Sequence, residues 1–449
     1  MSFPKYTSYK ETAIEGLARV PAHWVVSPLK YIARVQTGIA KGKDNTGQKT
    51  VSVPYLRVAN VQDGYLALDD VATLDIPVDV LERYRLRVGD VLMNEGGDFD
   101  KLGRGHIWDG SIDPCIHQNH VFAVRPIEVS AEWLNAVTGT SYAQFYFMEH
   151  SKQSTNLASI SSSNLMNLPV VLPPEDERVA ILEFIDREVT KIDRLVDDQD
   201  RLIGLLQEKR LAVASSAVTK GLKRNVPTSD SGVEWLGRIP SHWQTSRLAN
   251  LFSDTDERGS DELPVLTVSI HDGVSDDELD EEALDRKVTR SDDKTKYKRV
   301  APGDLVYNMM RAWQGGFGSV TVDGMVSPAY VVARPRTEFP TSFIERVLRT
   351  PNAIEEMRGR SRGVTDFRLR LYWEEFKDIV VPLPPKEEVE AIMAHLNESE
   401  KAISDTIAAA EDCISILRER RSALISAAVT GKIDVRALAV ERRAVAGQC

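Results

Sequence analysis

The sequence predicts an α+β protein in which two similar globular domains alternate with two long helices that pair as an antiparallel coiled coil. Three observations predict this fold. The two halves of the 449-residue chain repeat each other, each half ends in a long segment with apolar residues at helical spacing, and the rest of each half alternates strand-like apolar runs with turns. A chain of this length also suggests about two to four domains rather than one core.

Matched stretches follow the same order in both halves. Residues 14–24 (IEGLARVPAHW) match 233–243 (VEWLGRIPSHW), and residues 170–181 (VVLPPEDERVAI) match 381–392 (VPLPPKEEVEAI). The offset between the copies falls from 219 to 209 through the globular parts and then stays at 211 along the long segments. The globular loops therefore differ in length, whereas the long segments align without a gap. The predicted boundaries are 1–174 for the first globular domain, 175–221 for the first long helix, 222–383 for the linker and second globular domain, 384–437 for the second long helix and 438–449 for a tail.

Each long segment begins after a Pro-Pro pair with acidic residues in its first turn, which the helix dipole favours. From Leu182 and from Met393, apolar residues then recur at alternating spacings of three and four, the pattern of a coiled-coil seam. Each helix of ~45 residues would be ~65–70 Å long. Arg210 and Arg421 occupy the same place in the two seams. They are interpreted either as snorkelling residues near a helix end or as contacts to a partner subunit.

Composition limits the classes of function. The formal net charge is −11, but much of the negative charge lies in residues 254–264 and 275–285, so local basic patches can still bind phosphate. No apolar run reaches the ~20 residues that span a bilayer, and no N-terminal signal segment is recognised. The three cysteines have no regular spacing, which predicts a reducing, cytoplasmic setting.

Three familiar motifs for nucleotide binding and methyl transfer are missing from the sequence. It has no G-x-x-x-x-G-K-[ST], no G-x-G-x-x-G after a strand and no Asn-Pro-Pro-aromatic element. Cys115, His117 and His120 are dense enough for a metal site, but strand alternation would point His120 away from the other two. A separate set (Asp366, Glu375 and Lys377) fits a loose nuclease pattern, although LYWEEFKDI looks helical.

Polar and basic loops indicate a binding function more clearly than any motif indicates catalysis, because the loops recur at equivalent places in both halves. Gly-Asp turns lead into residues 94–105 (NEGGDFDKLGRG) and 308–318 (NMMRAWQGGFG). Residues 358–370 (RGRSRGVTDFRLR) are rich in Arg, and their counterpart 152–164 (KQSTNLASISSSN) is rich in Ser, Asn and Gln. Arg binds phosphates and guanine edges, and amide side chains suit adenine. The loops therefore predict DNA contacts, as against the alternative that they are solvated polar loops.

At this point the sequence resembles a known family. Residues 218–243 (VTKGLKRNVPTSDSGVEWLGRIPSHW), 382–392 (PLPPKEEVEAI) and 424–436 (LISAAVTGKIDVR) are similar to the specificity subunits of type I restriction–modification enzymes. The resemblance covers nearly the whole chain. It departs from the family where Glu177-Arg178 and Glu388-Val389 stand in place of the usual Glu-Gln pair.

The resemblance implies two target-recognition domains, each reading one half of a bipartite site in double-stranded DNA. The helix pair would set the spacer and dock two modification (methyltransferase) subunits, and restriction (motor-nuclease) subunits would join them. Cofactors would lie on those partners (S-adenosylmethionine, ATP and Mg²⁺), with none on this chain and no role for a membrane. The alternatives are a self-contained nuclease and a coiled-coil scaffold without DNA.

Residue type and loop position select the candidate contacts. For DNA these are Arg57, Lys101, Arg104, Lys152, Gln153 and Asn156 in the first domain, and Arg311, Gln314, Arg358, Arg360, Arg362 and Arg368 in the second. For partner subunits they are Arg210 and Arg421. The repeated His-Trp pairs, 23–24 and 242–243, stand where each domain begins. They are interpreted as packed or hydrogen-bonded residues rather than catalysts.

Overall fold

The structure is a computed structural model. It describes residues 3–42, 47–97, 102–103, 105–154, 157–260, 262–270, 273–275, 296–363 and 368–437. The chain divides into two compact units. The first unit is Met1–Gln199 with Glu411–Cys449, and the second unit is Asp200–Ala410.

The first unit contains a mixed globular region. Its strands are β1 (Tyr9–Ile14), β2 (Leu17–Pro21), β3 (Val25–Pro28), β4 (Ala33–Thr37), β5 (Thr50–Leu56), β6 (Ala72–Pro77), β7 (Val91–Asn94), β8 (Gly96–Gly97), β9 (Gly105–Ile107), β10 (Ile116–His117), β11 (Val121–Pro126), β12 (Ser151–Ser154), β13 (Leu157–Ile160) and β14 (Pro169–Leu172). Its short helices are α1 (Leu81–Tyr84), α2 (Ala131–Thr138), α3 (Ser141–Glu149) and α4 (Ser162–Met166). An antiparallel four-stranded sheet runs in the order β4-β11-β7-β9.

Two long helices contribute to both units. They are α5 (Glu175–Lys220) and, at the other end of the second globular region, α10 (Lys386–Val429). The second unit's short helices lie between them in the chain: α6 (Leu248–Leu251), α7 (Thr341–Leu348), α8 (Pro351–Arg360) and α9 (Trp373–Phe376). Its strands are β15 (Thr228–Asp230), β16 (Arg238–Pro240), β17 (Gln244–Arg247), β18 (Phe252–Thr255), β19 (Val268–Ser269), β20 (Gly273–Val274), β21 (Lys298–Val300), β22 (Leu305–Asn308), β23 (Phe317–Ser319), β24 (Gly324–Val326), β25 (Tyr330–Pro335) and β26 (Val380–Leu383).

The two globular regions share one sheet topology. The second unit's four-stranded sheet has the order β18-β25-β22-β23, and each of its strands is the repeat counterpart of the strand at the same place in β4-β11-β7-β9. In each unit a further antiparallel pair joins the start of the region to the strand just before the long helix: β3 with β14, and β17 with β26. The α+β class and the duplication that the sequence predicts are confirmed.

The long helices begin just after the Pro-Pro pairs, at Glu175 and at Lys386, but the second ends at Val429, eight residues before the predicted boundary at 437. They pack against each other within each unit, and the order of contacts is antiparallel, because Asp193 meets Arg421 in the first unit and Arg210 meets Ser404 in the second. The predicted seam is largely turned inward. Its buried members include Ile185, Ile192, Ala217, Leu396, Ile403, Ala410, Ile414 and Ala428.

Each unit has its own core, in which helix residues join the globular region. In the first unit, Trp24 and Trp133 pack with Phe184 of α5 and Val429 of α10. In the second unit, Trp243 and Phe343 pack with Val218 of α5 and with Val389, Ile392 and Leu396 of α10. Burial of the long helices thus depends on the globular regions as well as on the seam. Within the described residues, no helix combines the length and apolar character needed to cross a bilayer.

Candidate functional site

The first His-Trp pair is anchored to the first turn of α5. Trp24 is fully buried and its indole Nε1 donates to Glu177 Oε2 at 3.0 Å. The imidazole Nε2 of His23 lies 2.7 Å from Glu177 Oε1. Both side chains therefore contact the one carboxylate of Glu177. These contacts fix the place at which the long helix leaves the globular region.

The second pair repeats these contacts in the second unit. Trp243 Nε1 donates to Glu388 Oε2 at 2.8 Å, and His242 Nε2 lies 2.8 Å from Glu388 Oε1. Burial acts to raise the pKa of Glu388, but the hydrogen bonds from Trp243 and His242 outweigh it and the pKa is lowered. The interpretation of both His-Trp pairs as hydrogen-bonded residues is confirmed. The carboxylates of Glu177 and Glu388 that hold them are not predicted from the sequence. A Glu at the same position of both repeat copies could have indicated this contact.

A second repeated feature is an Asp–Arg pair whose Asp lies in the turn that precedes each candidate loop. In the first unit, Asp90 of the Gly-Asp turn forms two 2.7 Å hydrogen bonds with the guanidinium of Arg125. In the second unit, Asp304 forms the same paired contact with Arg334 at 3.1 and 3.0 Å. Both aspartates are buried. These bidentate pairs pin the turns from which the strands β7 and β22 run toward the candidate loops.

The candidate segments of the first domain come together in one small sheet. Strand β12 pairs with β13, and β13 pairs with β8, so Ala158 and Ser159 lie beside Gly97 and Gly96. A Cβ on Gly96 would lie 2.9 Å from the carbonyl oxygen of Ala158, and this close approach favours glycine. Lys152 and Gln153 on β12 are exposed. Lys101, Arg104 and Asn156 lie outside the described residues.

Arg57 has a partner within its own domain. Its guanidinium donates to the carboxylate of Asp70 at 2.9 Å and to the Asp70 carbonyl at 3.2 Å. Its backbone N–H donates to Asn60 Oδ1, and Asn60 in turn donates to the carbonyls of Ala67 and Asp70. The structure thus gives Arg57 a local bracing contact, and a DNA contact by this residue stays a prediction.

In the second domain the two candidate segments also meet. The guanidinium of Arg358, at the end of α8, lies 5.5 Å from the ring centre of Trp313 in the short helix Ala312–Gln314. A backbone hydrogen bond from Leu371 to Met309 joins the far end of the arginine-rich segment to the same loop. Arg311 and Gln314 are exposed beside this contact. A Trp with a cation over its ring, flanked by exposed Arg and Gln, is a surface suited to phosphates and base edges.

Intrachain carboxylates also hold candidate arginines of the second domain, among them Arg358, whose Nη1 lies 3.9 Å from Glu355 Oε1. Arg360 Nε donates to Glu356 Oε1 at 2.6 Å, and Arg362 forms an ion pair with Glu375. Arg362 nevertheless keeps 72% of its side-chain exposure, so its pairing leaves most of the side chain open to a ligand. The side chain of Arg368 is also exposed.

The residues of the nuclease alternative engage other partners. Glu375 pairs with Arg362, and Lys377 pairs with Glu374 on the same helical turn. Asp366 lies outside the described residues. The helix predicted here is present as α9, so Glu375 and Lys377 come from a helical turn rather than from a strand.

The cluster of Cys115, His117 and His120 likewise separates. His117 Nδ1 lies 2.7 Å from the Val121 carbonyl, His120 pairs with Glu95, and burial raises the pKa of Cys115 to about 12. Its thiol is therefore protonated near neutral pH, which is the weakly ligating form. Among the described residues no group of His, Cys, Asp and Glu side chains is arranged to hold a metal ion.

Arg210 and Arg421 occupy equivalent places in the helix pair. Arg421 Nε donates to Asp193 Oδ1 at 3.0 Å in the first unit, and Arg210 donates to Ser404 Oγ at 3.4 Å in the second. Since 193 and 404 differ by the same 211 residues as 210 and 421, these are two copies of one contact between the helices. Neither arginine lies at a helix end, because α5 continues to Lys220 and α10 to Val429.

Comparisons with known proteins point in one direction. No family model matches the sequence. The chain is 25% identical over 424 residues to the type I restriction enzyme EcoBI specificity subunit of Escherichia coli, a match that covers 89% of this chain and 85% of that protein. It is 23% identical over 261 residues to a Methanocaldococcus jannaschii protein assigned as the type I restriction enzyme MjaX specificity subunit. That match covers 56% of this chain and only 57% of the archaeal protein.

Solved structures show the same fold. The HsdS subunit from Thermoanaerobacter tengcongensis aligns with a TM-score of 0.50 at 15% identity, over 93% of this chain and 99% of that one. A chain from a study of the complex assembly and conformational transition of the type I R-M system aligns with a TM-score of 0.62 at 14% identity, over 92% and 99%.

Proposed function

Since the chain is related in sequence and in fold to the specificity subunits of type I restriction enzymes, we propose that it is the DNA-specificity subunit of such a complex. Each globular domain reads one half of an asymmetric, bipartite site in double-stranded DNA. The chain supplies recognition and no catalysis of its own. The partners are two methyltransferase subunits and motor-nuclease subunits, which carry S-adenosylmethionine, ATP and Mg²⁺.

One observation carries this proposal: the two domains share a framework and differ in their exposed loops. The sheet order, the Asp-Arg pair behind each loop and the His-Trp-Glu anchor occur in both units. The loop clusters, however, carry Lys152 and Gln153 in the first domain and Arg311 with Gln314 in the second. Two similar frameworks with unlike side chains suit two unlike half-sites, which makes the target asymmetric.

The constant repeat offset of the two helices supports the idea that they set the spacer between the half-sites. Their repeat offset stays at 211, and the boundary between the two units falls after Gln199 on α5 and after Ala410 on α10, which are themselves 211 residues apart. A packed helix pair resists changes in length, so half-site spacing becomes a geometric property of the protein. Exposed apolar residues on the helices, among them Leu195, Leu205, Leu211 and Ile416, offer a surface to the methyltransferase subunits.

The test is to insert one heptad into both helices, after Gln199 and after Ala410, and to map methylated adenines in cells that contain the partner subunits. A heptad preserves the seam, so we expect both half-sites to be unchanged and the spacer between them to lengthen. Altered half-sites with an unchanged spacer would refute the spacer role.

Two assays, one of the purified chain alone and one of its complex with partner subunits, separate this proposal from the two alternatives. Cleavage of DNA by the chain with Mg²⁺ and no partner would favour a nuclease. A complex with partner subunits whose DNA affinity does not fall with added salt would favour a scaffold, because phosphate contacts are salt-dependent.

A further inference from the structure

The first unit contains a cavity of about 570 Å³ between its globular region and the long helices. One wall is α2 and another is formed by α5 and α10. The floor is apolar and consists of Leu102, Ile107, Leu182, Ile185, Val189 and Ile425. A space of this size and lining suits a side chain or a small ligand rather than water alone.

The second unit has charged side chains at the equivalent place. Its α7 corresponds to α2 at an offset of 210, and the helices that follow them have the same cap: Thr140 and Thr350 each accept from an alanine N–H three residues on. From α7, Arg346 forms a bidentate ion pair with Glu400 of α10, in which Nη2 lies 2.9 Å from Oε2.

A second arginine extends from the end of α7 into the same region. Arg349 pairs with Glu345 and donates to the carbonyl oxygens of Phe317 at 2.7 Å and of Ile270 at 3.2 Å. These carbonyls belong to the β23 strand and to the segment after β19. Two guanidinium groups therefore fill the second unit between α7, the sheet and α10.

The first unit has small or uncharged residues at all four of these positions. Asn135, Ala136 and Gly139 stand for Glu345, Arg346 and Arg349, and Val189 stands for Glu400. All four line the cavity. The cavity is thus the space that the second unit fills with its own arginine side chains.

The mouth of the cavity is acidic. Asp63, Glu132, Glu183 and Asp186 line it and are exposed. The described residues give none of these four carboxylates an ion-pair partner. Among the described residues that line the cavity, the arginine is Arg421, which is already paired with Asp193. An apolar floor below unpaired carboxylates is complementary to a side chain with an aliphatic stem and a cationic end.

We propose that this cavity binds an arginine side chain presented by a partner protein. The stem lies on the apolar floor, and the guanidinium takes the carboxylates at the mouth as acceptors, as Arg346 and Arg349 take acceptors in the second unit. Nucleic acid is a poor occupant, because its phosphates would face four carboxylates. The proposal does not depend on DNA reading, since it rests on the lining of the cavity and on the arginines that occupy the equivalent place in the second unit.

The probe is N-acetyl-arginine methylamide, titrated into the full chain with labelled Ile, Leu and Val methyl groups. We expect shifts in the methyl signals of Ile185, Leu182 and Ile425. N-acetyl-citrulline methylamide has nearly the same shape without the charge. We expect its affinity to be at least about tenfold lower, because it cannot form charge-assisted hydrogen bonds. The readout involves neither DNA nor methylation, so its failure is distinct from failure of the proposed function.

Two variants locate the binding. Ala136→Arg with Val189→Glu places in the first unit the ion pair that the second unit carries, and we expect it to abolish the shifts. Glu183→Gln with Asp186→Asn keeps the shape and removes charge, and we expect at least about tenfold weaker binding. Unshifted methyl signals away from the cavity report that each variant is folded. Equal binding of the arginine and citrulline probes, or binding that survives both variants, would overturn the proposal.

Discussion

The two His-Trp-Glu networks have the same contacts but different depths. The side chain of Glu388 is 29% exposed, whereas that of Glu177 is 7% exposed. Glu177 also accepts from Tyr6 Oη at 3.2 Å and lies 3.5 Å from Arg436, whose guanidinium stacks 4.7 Å from the Tyr6 ring centre. One repeated sequence signature thus gives a half-open network in the second unit and a closed one in the first. The difference comes from residues outside the signature.

The largest expected effect comes from neutralising these two carboxylates. Glu177→Gln leaves buried donors without a full acceptor and should lower the free energy of unfolding by about 3 kcal/mol. Glu388→Gln, in the more open network, should cost about 1 kcal/mol. Urea unfolding followed by tryptophan fluorescence measures both, and equal costs would contradict the claim that depth distinguishes the networks.

The next effect is a pH dependence of stability. It is expected in the first unit because, of the two repeat copies, only the first has a histidine at the position of His117. His117 is fully buried, and burial lowers its pKa from 6.5 to about 4. Its repeat counterpart in the second unit, at the offset of 209 set by Arg125 and Arg334, is Val326. In the unfolded chain the imidazole binds a proton below pH ~6.5, whereas in the folded unit it stays neutral down to about pH 4. Stability contributed by the neutral imidazole is therefore present above pH ~6.5 and is lost as the pH falls toward 4, by on the order of 3 kcal/mol.

Unfolding free energies measured between pH 7 and pH 4 test this. His117→Asn keeps a donor for the Val121 carbonyl but does not titrate, so we expect a flatter pH dependence than in the unsubstituted chain. An unchanged slope would mean that other groups cause the loss of stability.

The smallest effect belongs to the repeated arginines of the helix pair. Arg421→Ala removes a partly exposed ion pair with Asp193 and should cost about 0.5 kcal/mol, while Arg210→Ala removes only a long hydrogen bond to Ser404 and should cost less. If these arginines also contact a partner subunit, as the sequence predicts, each substitution should reduce the amount of that subunit that co-purifies with the chain. That loss should be larger than the small decrease in the free energy of unfolding can explain. Leu424→Ala at the neighbouring seam position is a packing control for general weakening of the helix pair.

The sequence predicts most of the framework, because the periodicity of apolar residues and the repeat offsets can be read directly from the order of residues. The helix starts follow from the Pro-Pro pairs and the seam follows from its spacing, while antiparallel pairing is the simplest packing of two equivalent seams in one chain. The Arg360–Glu356 pair also follows from spacing, since the two residues are one helical turn apart. The Arg362–Glu375 pair does not, because its members are 13 residues apart in the sequence and do not share a helix.

Side-chain partners between distant segments are the part that could not be predicted. Alignment of the halves places Ala136 opposite Arg346 and Val189 opposite Glu400, but only the packing of α7 on α10 reveals that the charged residues meet. The β12-β13 hairpin joins Gly96–Gly97 by pairing that no periodicity signals. The candidate DNA contacts remain predictions from residue type, although the structure brings Arg358 over Trp313, beside the exposed Arg311 and Gln314.

The central claim is that the two loop clusters read separate half-sites, and mapping methylated adenines in variant cells tests it most directly. Arg311→Ala with Gln314→Ala should relax one half-site, by ~1–3 kcal/mol for each base that is no longer read, and leave the other half-site and the spacer unchanged. Lys152→Ala with Gln153→Ala should affect only the opposite half, and Arg224→Ala in the linker should affect neither. A pair of substitutions in one domain that changes both half-sites, or neither, would contradict the account.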